Sequence, residues 1–452
     1  MRRLQFCSIL AAVGYTQFVA GPVSGKVRLS RRGRKEWTED AEGPHTLDGP
    51  VSRTVSSPLH VRSAHAYQHA ESIYPCTAPD YNAPMYLLSE IVLLSPLILY
   101  ACFRIRRLFA RKLLKNASTA FFLLIVAGYP VAETLSHNSG DAWAQYPMIA
   151  GYLSLPYLLY IVLTVIASDL IIGLLHWPIG MSPQSIRRLK TSRLLLIFLL
   201  PAAIVAAGAA NNNRLKIKHY TLAVPNRSSK LNELRIAFAS DFHLGPLTNR
   251  RLMDRFVQKV NALNPDIVLI GGDVLEGDRL DENLVEYEIQ FARIRSRFGT
   301  YAVPGNHEMH GENPGEFFKR SKITILQDSV VTVGESIYLA GRNDGRSRNR
   351  KSIQELLKDI PNDLPLILLD HRPIDLDAAS NSNVDIQFSG HTHDGQLFPV
   401  NLLYPMQYQL TWGYLQKRRT HFIVTSGVQV WGPPVRTAGD SEIVAVDLIL
   451  RD

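Results

Sequence analysis

Apolar residues follow two regimes along this chain of 452 residues. Before residue 211 they form long, nearly unbroken runs over 85–103, 119–131, 148–177 and 194–210. A helix that crosses a bilayer needs about 20 such residues. The first and fourth runs meet that length with a few flanking residues, and the second is short. The third is long enough to tilt or to kink at Pro156. After residue 211 the runs shrink to strand length, bounded by Gly, Pro, Asn and Asp. Strands are expected over 234–240, 266–270, 300–303, 337–340, 365–369, 384–388, 421–425 and 442–448. Helical spacing falls between several of them, over 249–263, 280–297, 314–320 and 352–359. Alternating strands and helices, then strand-rich sequence, argue a layered α/β (α+β) sandwich of sheets and helices, without internal repeats.

Three regions follow from this pattern. Residues 1–83 open with Met1-Arg2-Arg3 and an apolar stretch to Ala20, as a secretory signal or short anchor would. Residues 21–83, rich in Arg, Ser, His, Pro and Gly, are expected to be disordered. An alternative is that Met85 is the true start. Residues 84–210 form a transmembrane helical region and 211–452 a catalytic-type domain.

A formal charge of +9 first suggests a nucleic-acid partner. Its distribution suggests a membrane instead. Arg104, Arg106, Arg107, Arg111, Lys112 and Lys115 crowd the first loop, and Arg187, Arg188, Lys190 and Arg193 the third. The second loop, 133–146, has no Lys or Arg but carries Glu133 and Asp141. Basic loops stay in the cytoplasm, so residues after 210 should face outward, although Arg214, Lys216, Lys218 and Arg227 pull the other way. No nucleic-acid partner is expected. Asp169, inside the third run, reads either as a functional intramembrane acid or as an interfacial one. The three cysteines, Cys7, Cys76 and Cys102, all precede residue 211, which excludes a thiolate metal site or disulfide framework in the domain.

The domain carries an ordered set of ligand-type residues, each where a strand runs out into a loop. "LRIAFASDFHLG" presents Asp241 and His243, and "PDIVLIGGD" ends on Asp273. "YAVPGNHE" offers Asn306 and His307, "LILLDHRP" His371, and "VDIQFSGHTH" His391 and His393. Residues two apart on an extended backbone share a face. Each motif alone is weak, because Gly-Asn is ordinary turn chemistry and a strand-end Asp often caps a helix. Five in one order, at strand carboxyl ends where α/β sheets bind ligands, are far more specific. Oxygen and imidazole donors without thiolates suit divalent ions such as Mn, Fe or Zn.

The set D-x-H, G-D, G-N-H-E, H and G-H-x-H resembles the calcineurin-like metallophosphoesterase superfamily. "GHTHDGQLFP", "SGVQVWGPPVR" and "EIVAVDL" are similar to its membrane-anchored bacterial group, with "GDSEI" departing where Arg-Pro-Glu-Ile would be expected. The resemblance covers about residues 211–452. It implies a four-layer αββα sandwich behind a bundle of about four transmembrane helices. It also implies a dinuclear phosphoesterase of the bacterial inner or plasma membrane. One ion would be held by Asp241, His243, Asp273 and His393, the other by Asp273, Asn306, His371 and His391. Asp273 would bridge, a bridging hydroxide would attack phosphorus, His307 would assist the leaving group, and Glu308 would orient a ligand imidazole. The implied substrate is a phosphomonoester, phosphodiester or pyrophosphate, lipid-linked by virtue of the membrane tether. A nucleotide-linked lipid precursor of the UDP-diacylglucosamine type and a non-catalytic metal-binding membrane sensor are the alternatives.

Two further features stay open. Arg436 offers its guanidinium either to a phosphoryl group or to the fold. The aromatic stretch 397–415, followed by Lys417-Arg418-Arg419, either touches lipid or packs as a lid. Oligomeric state is not encoded in any motif.

Overall fold

The computed structural model describes residues 83–138, 142–179, 183–276, 284–310 and 314–451. Residues 1–82, with the expected signal-like and disordered segment, lie outside the described residues. Four long helices come first: α1 (Ala83–Arg106), α2 (Lys112–Asn138), α3 (Gln145–Ile179) and α4 (Pro183–Asn212). Among the described residues, three stretches are long and apolar enough to cross a membrane: Lys112–Asn138, Gln145–Leu174 and Leu189–Asn212. The short second run thus becomes a helix of 27 residues. Backbone amides in lipid must be satisfied within the helix, so helical structure extends past the apolar stretch on both sides.

Small residues and one charged knot join the bundle. A Cβ on Gly151 of α3 would strike the Gly128 carbonyl of α2, so the two backbones cross in close contact. The carboxylate of Asp169 on α3 accepts from Arg104 Nε at 2.6 Å, from Tyr100 Oη at 2.7 Å and from the Arg193 guanidinium. Three helices, α1, α3 and α4, are tied at this one carboxylate. Asp169 is therefore an ion-paired structural acid, which resolves the two readings of it.

After α4 the chain builds two six-stranded sheets. The strands of the first are β1 (Leu215–Val224), β2 (Glu233–Ala239), β3 (Ile267–Ile270), β4 (Thr300–Ala302), β5 (Ile323–Ile325) and β12 (Ser441–Leu450). The second holds β6 (Ser329–Val333), β7 (Ile337–Gly341), β8 (Leu366–Leu369), β9 (Ile386–Ser389), β10 (Gly413–Lys417) and β11 (Thr420–Val424). Their orders are β1-β12-β2-β3-β4-β5 and β10-β11-β9-β8-β7-β6. Strands β2 to β5 run parallel, as do β7, β8, β9 and β11.

Alternation along each strand separates two cores. On β2, Ile236 and Phe238 point between the sheets, meeting Ile367, Leu369, Ile386 and Phe388 of the other sheet. Ala237 and Ala239 point outward, under α5 (Arg250–Ala262), α6 (Leu284–Phe291) and α7 (Pro314–Arg320). The far face of the second sheet is covered by α8 (Ile353–Leu357) and α9 (Leu376–Ser380). The result is a calcineurin-like four-layer αββα sandwich. Four strands escape the sequence pattern: β1, β5, β6 and β10. β1, β6 and β10 carry several exposed or half-buried positions, and β5 is three residues long, so none reads as a buried run.

The knot at Asp169 yields a testable expectation. Asp169→Ala should lower the thermal unfolding midpoint of the full chain in detergent. Combined with Arg193→Ala, it should show a coupling of about 1–3 kcal/mol in a double-mutant cycle. Additive losses would mean that the pair does not act as a unit.

Candidate metal centre

The loops after β2, β3, β4, β8 and β9 bring their polar side chains to one end of the paired sheets. All eight candidate residues gather there. Asp241, His243 and His393 form one group and Asp273, His371 and His391 a second, with donor atoms in each group within 4.8 Å of one another. His307 joins His243 and Glu276 in a third group. Asn306 is buried, and its Oδ1 finds no hydrogen-bond partner among the described residues.

The backbone is held against its preferences to achieve this. Asp241, His243, Asp273, His391 and His393 all have φ between 45° and 72°, a region costly for residues with a Cβ. Two glycines make room. A Cβ on Gly305 would collide with the Asp273 carboxylate, and one on Gly390 with Ser240 and the Asp241 carboxylate. Amides then fix the carboxylates. The His391 N–H donates to Asp241 at 3.1 Å, and the His307 N–H donates to Asp273 Oδ1 at 2.9 Å.

Tautomers follow from the outer contacts. His243 Nδ1 lies 2.6 Å from the Glu276 carboxylate, His393 Nδ1 3.2 Å from the Gln429 carbonyl, and His371 Nδ1 2.8 Å from the Gly271 carbonyl. Each Nδ1 faces an acceptor and so carries the proton, which leaves each Nε2 with a lone pair. Those lone pairs face one another and the carboxylates. His243 Nε2 stands 3.1 Å from His393 Nε2, which stands 3.3 Å from Asp241 Oδ1. His371 Nε2 stands 3.0 Å from Asp273 Oδ2. Atoms so arranged repel unless positive charge lies among them, as protons or a bound divalent ion would supply it.

Burial works to lower the His371 pKa, yet Asp273 outweighs it and drives the ring to about 10, so without a bound ion this ring is protonated and pairs with the Asp273 carboxylate. Burial also works to raise the Asp273 carboxyl, and the rings of His371 and His307 hold it well below the usual carboxylate range. Burial, with Arg372 beside one and His243 beside the other, keeps His391 and His393 well below the ordinary histidine value. Neutral imidazoles and ionised carboxylates are the forms that bind metal.

Several supporting residues differ from the sequence expectation. Glu308 does not orient an imidazole. Its carboxylate accepts the N–H groups of Asp273, Val274, Leu275 and Gly305 at 2.6–3.0 Å, stapling the β3 loop to the β4 loop. Burial and the neighbouring Asp273 nonetheless push its carboxyl up, to about 7. Glu276 orients imidazoles instead: it holds His243 and lies 3.4 Å from His307 Nδ1. Its only sequence signal is its place three residues after Asp273, and no residue type there marks a role. Arg436 is fully buried and donates to the carbonyls of His393, Ser426 and Gln429, bracing loops from beneath. The aromatic stretch packs on the bundle. Val400 and Tyr404 are buried with Tyr160 of α3 and Val205 of α4, while Phe398, Leu402 and Met406 stay exposed.

Comparison with known proteins matches this architecture. The family profile for calcineurin-like phosphoesterases matches residues 234–395. A metallophosphoesterase of Campylobacter jejuni is 31% identical over 278 residues, covering 58% of this chain and 73% of the relative. A metallophosphoesterase of Helicobacter pylori is 36% identical over 228 residues, covering 49% of this chain and 61% of the relative, so the chain spans about three fifths of that protein's length. A transmembrane protein with a metallophosphoesterase domain from Bos taurus is 28% identical over 382 residues, covering 78% and 83%. The chain belongs to the calcineurin-like phosphoesterase family.

Glu276→Gln should weaken Mn²⁺ binding by about 10- to 100-fold, because the His243 ring loses its anionic partner. Titration calorimetry on the purified chain reads this directly. Unchanged affinity would remove Glu276 from the support of the site.

Proposed function

We propose that the chain is a membrane-anchored hydrolase that cleaves phosphomonoester, phosphodiester or pyrophosphate bonds, on a substrate carried by a lipid. The observation that carries the reading is the convergence of imidazole and carboxylate donor atoms within 4.8 Å of one another in two adjoining groups at the strand ends, a donor set that suits divalent cations. Asp241, His243, Asp273 and His393 would hold one divalent ion, and Asp273, Asn306, His371 and His391 the other, with Mn, Fe or Zn fitting these donors. Bound there, such ions polarise a phosphoryl oxygen and make water a competent nucleophile at neutral pH.

The chain's own residues do the rest. His307 is a partly exposed imidazole of the site, with a side-chain exposure of 22%, and it sits against Glu276. It is placed to give a proton to a departing oxygen, while Glu276 fixes its ring. Lipid linkage is supported by the attachment of the domain to the helices. The Arg436 N–H donates to the Gly208 carbonyl of α4 at 3.0 Å, and the Tyr160 hydroxyl of α3 donates to the Phe398 carbonyl at 2.8 Å. The loop charges support an extracytoplasmic domain.

Purified full-length protein with Mn²⁺ should hydrolyse bis-p-nitrophenyl phosphate, lose that activity to a chelator and regain it with added metal. His307→Ala should cut kcat by about 10²- to 10⁴-fold while metal content is retained. Failure of a folded, metal-loaded protein to turn over mono- and diesters with any divalent ion would overturn the hydrolase reading. A reporter fused after residue 452 tests orientation: activity confined to the cytoplasm would reverse it.

A further inference from the structure

A cavity of about 190 Å³ adjoins the metal centre, with His243 and Glu276 in one wall. Its opposite wall is built by the helices: Ser136 near the end of α2, Ile149 in the first turns of α3, and Asn212 with Asn213 at the end of α4. The space continues past Ile149 and Leu247 into a more open hollow of about 520 Å³. Leu247, only four residues beyond His243, packs beside Ala144, Met148 and Tyr152 of the α2–α3 turn region. The loop bearing two metal-ligand candidates is thus docked on the membrane bundle.

Depth can be counted from the charged ends of the helices. Arg104, Asp169 and Arg193 share one level, since they bond to one another. Arg106 bonds to the Lys115 carbonyl and ties the start of α2 to the end of α1. A hydrocarbon core of about 30 Å equals about 20 helical residues. Counting about 20 residues along each helix from these charges leads from Lys115 to Leu135, from Asp169 back to Ile149, and from Arg193 to Asn213. All three counts end at or beside residues that line the cavity. The space next to the metal centre therefore lies at the depth where lipid headgroups meet the hydrocarbon.

The chemistry of the wall fits that depth. Asn212, Asn213 and Thr248 line the cavity, and in the hollow beyond it apolar Ile149, Pro246 and Leu247 lie beside Gln145, Asn249 and cationic Arg250 and Arg251, a mixed wall that suits an anionic headgroup with the start of its chain. Ile149 is 40% exposed although it is apolar and at the mouth of the site. We infer that this cavity holds the headgroup and proximal chain of an amphiphilic phosphoester that reaches the metal centre sideways from the bilayer. The inference rests on reading the centre as a phosphoester hydrolase, and it narrows the substrate to a lipid whose phosphate lies in the headgroup plane.

The test uses the full chain in phosphatidylcholine nanodiscs with a phosphatidic acid that carries a photoreactive diazirine near the glycerol end of one chain. Crosslinks should map to residues 136–152 and 243–251, and should be competed by unlabelled phosphatidic acid but not by glycerol 3-phosphate. Ile149→Trp, which fills the mouth, should cut this specific labelling at least tenfold. It should also lower the turnover ratio of phosphatidic acid to bis-p-nitrophenyl phosphate at least tenfold. Labelling spread over the outer faces of the helices, or unchanged by Ile149→Trp, would overturn the inference while leaving the hydrolase reading intact. Specific labelling without any turnover would support the lipid site and sink the hydrolase reading alone.

Discussion

Buried lone pairs that face one another are the constraint on which the rest of this structure depends. His243, His371 and His393 each spend one ring nitrogen on a fixed acceptor, so the other points inward at the carboxylates and rings of the site. Removing such groups and two carboxylates from water costs several kcal/mol per ion unless they are compensated. The fold accepts that cost, and it accepts left-handed backbone at five residues of the site besides: Asp241, His243, Asp273, His391 and His393. Rigidity is what it gains. Glu308 staples the loops of β3 and β4, Glu276 aims two imidazoles, and buried Arg436 ties three loop carbonyls from below.

The second constraint is the membrane. A helix in lipid keeps its amides to itself, so helices join through close packing and side-chain bonds. The bundle uses a glycine crossing at Gly128 and Gly151 and the single carboxylate of Asp169. Its far end is also the floor of the calcineurin-like domain. Gly208 accepts the Arg436 amide, and Asn211 donates to the carbonyls of Arg436 and Gly439. The helices thus bear on the loops of the metal centre as well as anchoring the chain.

Much of this was legible in the residues. The long apolar runs gave the bundle, and eight strand segments were marked by short apolar runs between turn residues. The eight candidate site residues were visible because metal chemistry restricts residue type and because each closes a strand. What stayed hidden has a common cause. β1 exposes many of its positions and so lacks the signature of a buried run, yet it pairs with β12 along its whole length. Glu276 and Glu308 are both acidic residues beside motif residues, and nothing local tells which grips a ring and which grips amides.

By itself, the sequence determined the donor set, the two regimes of hydrophobicity and the basic loops, because each depends on residue type and short spacing. Tertiary structure alone decided which Nε2 faces which carboxylate and that Asp169 lies between two arginines. It also decided that Arg436 supports the loops instead of facing a substrate. Those outcomes depend on loops from five strands and two helices meeting within a few ångströms, and distance across a fold is not written in local spacing. The same holds for the docking of the site's first loop on the helices: where Leu247, four residues beyond a ligand candidate, comes to rest is not written in local spacing.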